Sequence, residues 1–298
     1  VAHSVEGAST DDPTPGTLAA LVDQIEAAGP SLIMCLGKGG VGKTTVAAAI
    51  AVALAGRGYE VLLTTTDPAA HVDSALAGRV PLLEVARIDP VQATFEYRDR
   101  VMATKGSHLD DAGRLVLAED LRSPCTEEVA VFGQFSRVVH EAKRRFVVVD
   151  TAPTGHTLLL LDAAGAYHRD IARNMGDSGS FTTPLMRLRD PTYTKAIVVT
   201  LAEQTPVSEA AELQDDLRRA GIEPWAWVID SSLTAAAPDS PLLQHRAAAE
   251  LPQIRRAAAQ TNRLAIIPLL PNDPRGPGPL AALATDPATA PLLAKPLA

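Results

Sequence analysis

Nine consecutive residues, Gly37-Lys38-Gly39-Gly40-Val41-Gly42-Lys43-Thr44-Thr45, constrain what this chain can fold into more than any other stretch. They follow an apolar run, Ser31 to Leu36, and precede an Ala-rich run, Val46 to Ala55. A strand, a glycine-rich turn and a helix N-terminus in that order make a phosphate cradle. The glycines let backbone N–H groups converge on an anion, and the helix end adds positive potential. In this P-loop reading Gly37 through Thr45 bind ATP, Lys43 reaches the β- and γ-phosphates, and the Thr44 hydroxyl ligates Mg²⁺. A glycine-rich turn that binds nothing is the plain alternative; every fixed position of the motif, in its strand-to-helix setting, speaks against it.

The cradle implies an α/β fold of the P-loop NTPase type, with a mostly parallel central sheet and helices on both faces. Short apolar runs predict strands at Ser31 to Leu36, Glu60 to Thr65, Phe146 to Asp150, Ala196 to Leu201, Trp225 to Asp230 and Leu264 to Pro268, with Glu84 to Asp89 as an edge strand. Residues 1–30 read as a polar linker plus a short helix carrying Leu18, Leu21, Val22 and Ile25 at helical spacing. Residues 31–298 read as the ATPase domain. Within it, about 90–145 form a mostly helical insertion, too long for a plain crossover and suited to partner or effector contacts.

Phosphoryl transfer asks the protein to position groups and stabilise charge, so a water-orienting group and a metal-organising carboxylate should accompany the P-loop. Asp67, in Thr66-Asp67-Pro68-Ala69-Ala70-His71, lies just beyond the second strand and is the expected water-positioning catalytic residue beside Lys38 and Lys43. Asp150 ends an apolar strand and opens Asp150-Thr151-Ala152-Pro153-Thr154-Gly155-His156, a switch-like loop. Thr44, Asp67 and Asp150 are the expected Mg²⁺ residues. Aspartates at strand ends are otherwise common turn formers.

The chain is 46% hydrophobic with a formal net charge of −8, and it contains no dense Lys/Arg block, so nucleic acid is not an expected partner. Its apolar stretches are too short or too interrupted to span a bilayer. Two distant cysteines, Cys35 and Cys125, form neither a disulfide framework nor a zinc spacing, which fits a reducing cytoplasm. A chain starting at Val1 reads as a piece of something longer.

Lys38 is not needed by an ordinary P-loop. The form GKGGVGKTT is similar to that of the ATPase class containing septum-positioning, chromosome-partition, nitrogenase iron-protein and arsenical-pump ATPases. The resemblance implies that Lys38 crosses an interface and touches phosphates bound to the opposite half, as an arginine finger does. The runs DTAPTGHTLLLLDAAGAYHRDIA from Asp150, LRSPCTEEVAVFGQFSRV from Leu121 and VTLAEQTPVSEAAELQDDLRRAGIEPWAWVID from Val199 narrow this further. They resemble the arsenical pump-driving ATPases, and specifically their second half. That family commonly joins two ATPase halves through a linker. The resemblance implies metalloid-stimulated ATP hydrolysis that energises arsenite or antimonite efflux at a composite interface. The implied partners are a second half or homodimer partner, a membrane arsenite permease that holds the protein peripherally, and an arsenic metallochaperone.

The resemblance also implies a metalloid site for As(III) or Sb(III) at Cys125, with Ser123 and His156 as further candidates. Ser123 reads as an N-cap with Pro124 at the first helical position, which puts Cys125 in the first turn beside the positive end of the helix dipole; Glu127 and Glu128 oppose that field. A lone helical cysteine is otherwise a small core residue, the role expected for Cys35. Trivalent arsenic prefers three sulfur ligands, so other thiols must come from elsewhere. By resemblance Glu203 lies near the nucleotide; a solvated loop charge is an equal reading. Where this class usually presents an asparagine to adenine, this chain has Asp230-Ser231-Ser232, and the loop from Pro268 is expected to wall the base. Trp225 and Trp227 read as packing residues.

Three other functions share the fold: a tail-anchored protein targeting ATPase, a regulatory half with slow turnover, and a partition ATPase. The first normally has a CxxC zinc site and a Met-rich groove, whereas this chain has only two cysteines and four methionines. Intact Lys38, Lys43, Thr44, Asp67 and Asp150 speak against the second, and the absence of a basic amphipathic tail against the third.

Overall fold

The computed structural model describes residues 15–67, 72–152 and 182–285. Seven strands form one parallel sheet: β1 (Leu32–Leu36), β2 (Val61–Thr65), β3 (Leu83–Arg87), β4 (Phe146–Asp150), β5 (Thr194–Leu201), β6 (Pro224–Ser232) and β7 (Leu264–Pro268). Their order is β3-β2-β4-β1-β5-β6-β7. The chain runs outward from β1 on one side, returns to insert β4, then crosses to the other side. The carboxyl ends around β1 are therefore a topological switch point, where open α/β sheets leave a crevice for ligands.

The central strands are apolar on both faces because helices cover both, as parallel sheets require. On one face Ile33, Cys35, Leu63, Val148, Val199 and Val228 pack beneath α1 (Leu18–Ala28) and α2 (Lys43–Gly56). On the other, Met34, Val149, Val198, Trp227 and Ile266 meet the last helix of the insertion and the helices on either side of β5. Every residue of α2 from Val46 to Ala55 is buried, so its small alanines let the helix lie close against the sheet. The predicted strands all form. β5 starts two residues before the expected Ala196, because Thr194 and Lys195 are polar yet pair with β1, and polar strand starts are invisible to an apolar-run reading.

The short helix expected near Leu18 is α1, with the Thr17 hydroxyl accepting from Ala20 N at 3.1 Å. Leu18, Leu21, Val22 and Ile25 are all buried. Ahead of it, Gly16 N donates to Leu264 O at 2.7 Å and Gly16 O accepts from Ile266 N at 3.1 Å, so the chain from Gly16 is packed into the same core as the sheet.

The insertion is helical: α4 (Pro90–Thr104), a 3₁₀ turn (Gly106–His108), α5 (Asp111–Asp120) and α6 (Pro124–Glu141); α3 (Val72–Leu76) precedes β3. Asp89, Asp110 and Ser123 cap α4, α5 and α6 through side-chain oxygens. Val91, Phe95, Leu115, Val116 and Val129 lie exposed on these helices. After β4 come α7 (Pro184–Arg189), α8 (Gln204–Arg219), α9 (Leu233–Ala236), α10 (Pro241–Ala258) and α11 (Pro277–Thr285). Among the described residues, no helix is long and apolar enough to cross a membrane.

Candidate functional site

Two glycines let the P-loop pass close to the neighbouring strands. Gly37 (φ 155°) passes so close to Val199 O that a Cβ would collide with it, and Gly42 (φ 91°) is pressed against the Asp230 carboxylate in the same way. Gly42 is the N-cap of α2 and has no side chain to satisfy the helix's first N–H groups, which leaves them to an anion. The Lys43 Nζ donates to Lys38 O at 2.7 Å, folding the lysine back over the loop. Burial lowers the Lys43 ammonium below its usual range, and the charges of Asp150, Asp67 and Cys35 oppose that shift.

Thr44 and Asp150 are separated by 106 positions, yet the Thr44 Oγ1 donates to Asp150 Oδ2 at 2.8 Å. β4 lies directly beside β1 in the sheet, so the end of β4 faces the start of α2. Asp150 is 1% exposed and pushed up to about 6, chiefly by burial; the Thr44 hydrogen bond and Lys43 pull it down, and Asp67 adds to the rise. Its Oδ1 is buried without a hydrogen-bond partner. A buried carboxylate with one orphaned oxygen, next to a hydroxyl and close to a second carboxylate, fits a hard dication such as Mg²⁺.

Asp67 lies two residues past β2, its backbone N donating to Thr65 Oγ1 at 3.0 Å, and its charge is felt at both Lys43 and Asp150. The two switch segments are tied at their roots: Thr66 N donates to Asp150 O at 3.0 Å, and Ala152 N donates to Thr66 Oγ1 at 3.0 Å. Lys38 is exposed and ion-paired with Glu209 on α8.

The other expected ATP residues divide into two places. Asp230 and Pro268 meet Thr45 at a small cavity of about 80 Å³ that also borders Leu270, Asn272 and Pro274. Glu203, exposed at the N-cap of α8, instead lines a separate cavity of about 680 Å³ with Arg246, Glu250 and Gln253. Cys125 is exposed in the first turn of α6, with its backbone N donating to Ser123 Oγ at 3.4 Å; Cys35 is fully buried in β1, and burial drives its thiol far up. His156 lies outside the described residues. Trp227 is buried with its Nε1 donating to Gln214 Oε1 at 2.8 Å, whereas half-buried Trp225 has the cations of Lys195 and Arg263 over its ring at 5.7 and 5.1 Å.

Sequence reasoning missed two residues. Glu209 is 171 positions from Lys38, and Glu250 binds the end of β6 through Ser232 Oγ, Leu233 N and Thr234 N. Neither stands out locally, since each is a glutamate on an amphipathic helix. Only the packing of α8 and α10 on the sheet gives them partners.

Comparison with known proteins gives the family. The family model described as anion-transporting ATPase matches residues 31–187. An arsenical pump-driving ATPase from Escherichia coli is 59% identical over 90% of this chain, and one from Acidiphilium multivorum is 59% identical over 87%. The alignments cover 46% and 45% of those proteins, so the chain spans about half the length of the curated relatives it matches. The ATPase GET3 of Malassezia globosa is 27% identical over 92% of this chain and 95% of its own length. A family match across more than half the chain, falling on the strand, P-loop and paired aspartates just described, means that this chain belongs to the anion-transporting ATPase family.

Proposed function

We propose that this chain is one ATP-hydrolysing half of a metalloid-stimulated ATPase that energises arsenite or antimonite efflux. The observation that carries the reading is the Thr44–Asp150 contact at 2.8 Å behind a folded-back Lys43, with Asp67 close enough for its charge to act on both.

The backbone N–H groups from Gly39 to Thr45 receive the β- and γ-phosphates at the start of α2. Lys43 exchanges the Lys38 carbonyl for phosphate oxygens, a stronger charge-assisted partner. Thr44, Asp150 and Asp67 are the residues that would hold Mg²⁺, which when bound neutralises charge on the β- and γ-oxygens. The Asp67 carboxylate orients the attacking water. Lys38 is the cation donated to the phosphates of a second half or a homodimer partner. Its exposure and its pairing with Glu209 on the protein surface support a role outside its own loop.

Cys125 supplies one thiolate for As(III) or Sb(III), beside Ser123 and the undescribed His156. Because trivalent arsenic prefers three sulfurs, the remaining thiols come from a second half or a metallochaperone, and binding draws the halves toward the hydrolysing state. A membrane arsenite permease would then hold the protein peripherally at the cytoplasmic face. The test is steady-state ATPase of this chain with and without a supplied second half, each with and without antimonite. Stimulation that needs both additions and is lost in Cys125→Ser supports the reading. Full-speed hydrolysis by a dilute monomer removes the composite site, and stimulation that survives Cys125→Ser removes the metalloid assignment.

A second reading, a carrier ATPase for tail-anchored membrane proteins, is favoured by the exposed Val91, Phe95, Leu115, Val116 and Val129 of the insertion. It ranks behind because the sequence has no CxxC pair.

A further inference from the structure

The chain carries a formal net charge of −8, yet the amino-terminal ends of its central strands, opposite the P-loop, hold a local excess of the other sign. α6 ends there just before β4, and α7 just before β5. Arg137, His140, Lys143 and Arg144 are exposed along the end of α6 and the turn after it. Arg187 of α7 is tied to the same helix end through Tyr193. Its Nη1 donates to the Tyr193 hydroxyl at 2.7 Å, its guanidinium lies 5.0 Å from the centre of that ring, and the hydroxyl donates on to Val139 O. His140 registers how closely these groups gather: its imidazole is held below the usual range chiefly by the charge of Arg187, then by burial, Lys143 and Arg144.

The acids around this cluster are already engaged. Glu141 and Glu84 both accept from Arg145, and Asp190 Oδ1 accepts from Thr192 N at 2.9 Å and Thr192 Oγ1 at 2.6 Å. The carbonyls at the end of α6 are engaged too, by the Tyr193 hydroxyl and by the backbone N–H groups of Lys143 and Arg144. Among the described residues, no carboxylate pairs with Arg137, Lys143, Arg144 or Arg187. For the three exposed residues that is ordinary, since water solvates them. Arg187 is different, being only 6% exposed. Burying a guanidinium costs free energy that an anion normally offsets, and of its five N–H donors only Nη1 is hydrogen-bonded, to a neutral hydroxyl.

We propose that the basic end of α6, together with Arg187, is a docking site for an acidic segment of another protein. A side-chain carboxylate matches the open edge of the Arg187 fork, and further Asp or Glu residues of the segment face Lys143, Arg144 and Arg137. A short peptide suits the patch better than an anionic bilayer does. Charges are screened over about 8 Å at physiological salt, so a peptide meets mainly the local cations, whereas a bilayer extends past them to the rest of an acidic molecule. Met186, 44% exposed and next to Arg187 in sequence, offers the partner an apolar contact. The inference goes beyond the ATPase reading and does not depend on it. α6 is 18 residues and so about 27 Å long, with Cys125 at its far end, and a partner held here leaves both Cys125 and the P-loop uncovered.

The experiment is fluorescence anisotropy of the full chain with a short fluorescein-labelled Glu-rich peptide, a Gln-for-Glu peptide serving as the uncharged control. Lys143→Glu with Arg144→Glu reverses the patch, and Lys105→Glu with Arg255→Glu makes the same change of net charge at exposed positions elsewhere. The wild type should bind the Glu-rich peptide alone, more weakly as salt rises; the patch reversal should weaken binding about tenfold or more, and the distant reversal about twofold at most. Arg187→Gln should weaken it about thirtyfold or more. If that variant does not fold, judged by circular dichroism, the exposed pair decides. The His140 ring signals, identified by their loss in His140→Gln, should titrate at higher pH with the peptide bound, because its carboxylates offset the cations around the imidazole. Equal weakening by the two double reversals overturns the proposal, as does an absence of peptide binding at low salt or an unmoved His140 titration. Phosphatidylserine-containing vesicles and inorganic phosphate are run alongside. Binding of either one that needs Lys143 and Arg144, without peptide binding, assigns the patch to a lipid surface or a free anion and overturns the proposal as well.

Discussion

Replacing Gly42 by alanine should destabilise the nucleotide-free chain by about 2–5 kcal/mol, and part of that cost should belong to Asp230. Two independent penalties meet at this position. The backbone φ of 91° is one that an L-residue with a Cβ adopts at a cost of about 1–2 kcal/mol. The new methyl also overlaps the Asp230 carboxyl, an overpacking of about 1–3 kcal/mol because Glu250 holds the β6 turn in place. Asp230→Ala empties the space the methyl needs while leaving φ unchanged. A double-mutant cycle should therefore show Gly42→Ala costing about 1–2 kcal/mol in the Asp230→Ala background and more in the wild type. The assay is urea unfolding at pH 7.5 without nucleotide, followed by far-UV circular dichroism, so that lost phosphate binding does not enter. Additive effects to within about 0.5 kcal/mol would refute the contact, and an unchanged midpoint for Gly42→Ala would refute the strain as well.

Lys38→Ala should lower ATP turnover of the paired halves by about 10³-fold while mant-ADP still binds the single chain, because an exposed lysine that acts on the partner's phosphates is not part of its own cradle. Trp227→Phe should cost about 1–3 kcal/mol in urea unfolding, since Gln214 Oε1 is left buried without the indole N–H it accepts at 2.8 Å. Asp230 binds its proton more tightly in the folded chain (about 6) than at the usual carboxylate value of 3.8, so its contribution to stability is fully present at low pH and lost as pH rises through 6. Asp230→Asn should accordingly match wild type in unfolding midpoint near pH 4 and exceed it at pH 7.5, by roughly 3 kcal/mol at most.

The local physics of the chain was legible without coordinates wherever it depended on neighbours in sequence. Phe146 to Asp150 and Leu264 to Pro268 are strands with the predicted limits, because buried parallel strands must be apolar throughout and the flanking polar residues stop them. The P-loop glycines were assigned for the same reason: their spacing is itself the geometry. Ser123 caps α6 and places Cys125 in its first turn as expected, since capping acts over two or three residues. Glu203 was assigned by resemblance alone, and its cavity lies apart from the one that borders Thr45.

Tertiary structure alone decided which distant groups meet. The sheet order places β4 beside β1, bringing Asp150 onto Thr44, and puts β5 and β6 along the other side, so that Val199 closes on Gly37 and Asp230 on Gly42. Lys38 is presented at the surface and given Glu209 as a partner only by the docking of α8. Local propensity cannot encode such pairings, because any apolar strand satisfies its own residues equally well in several positions of a parallel sheet. The choice among positions comes from burying both faces of the whole sheet at once beneath its helices.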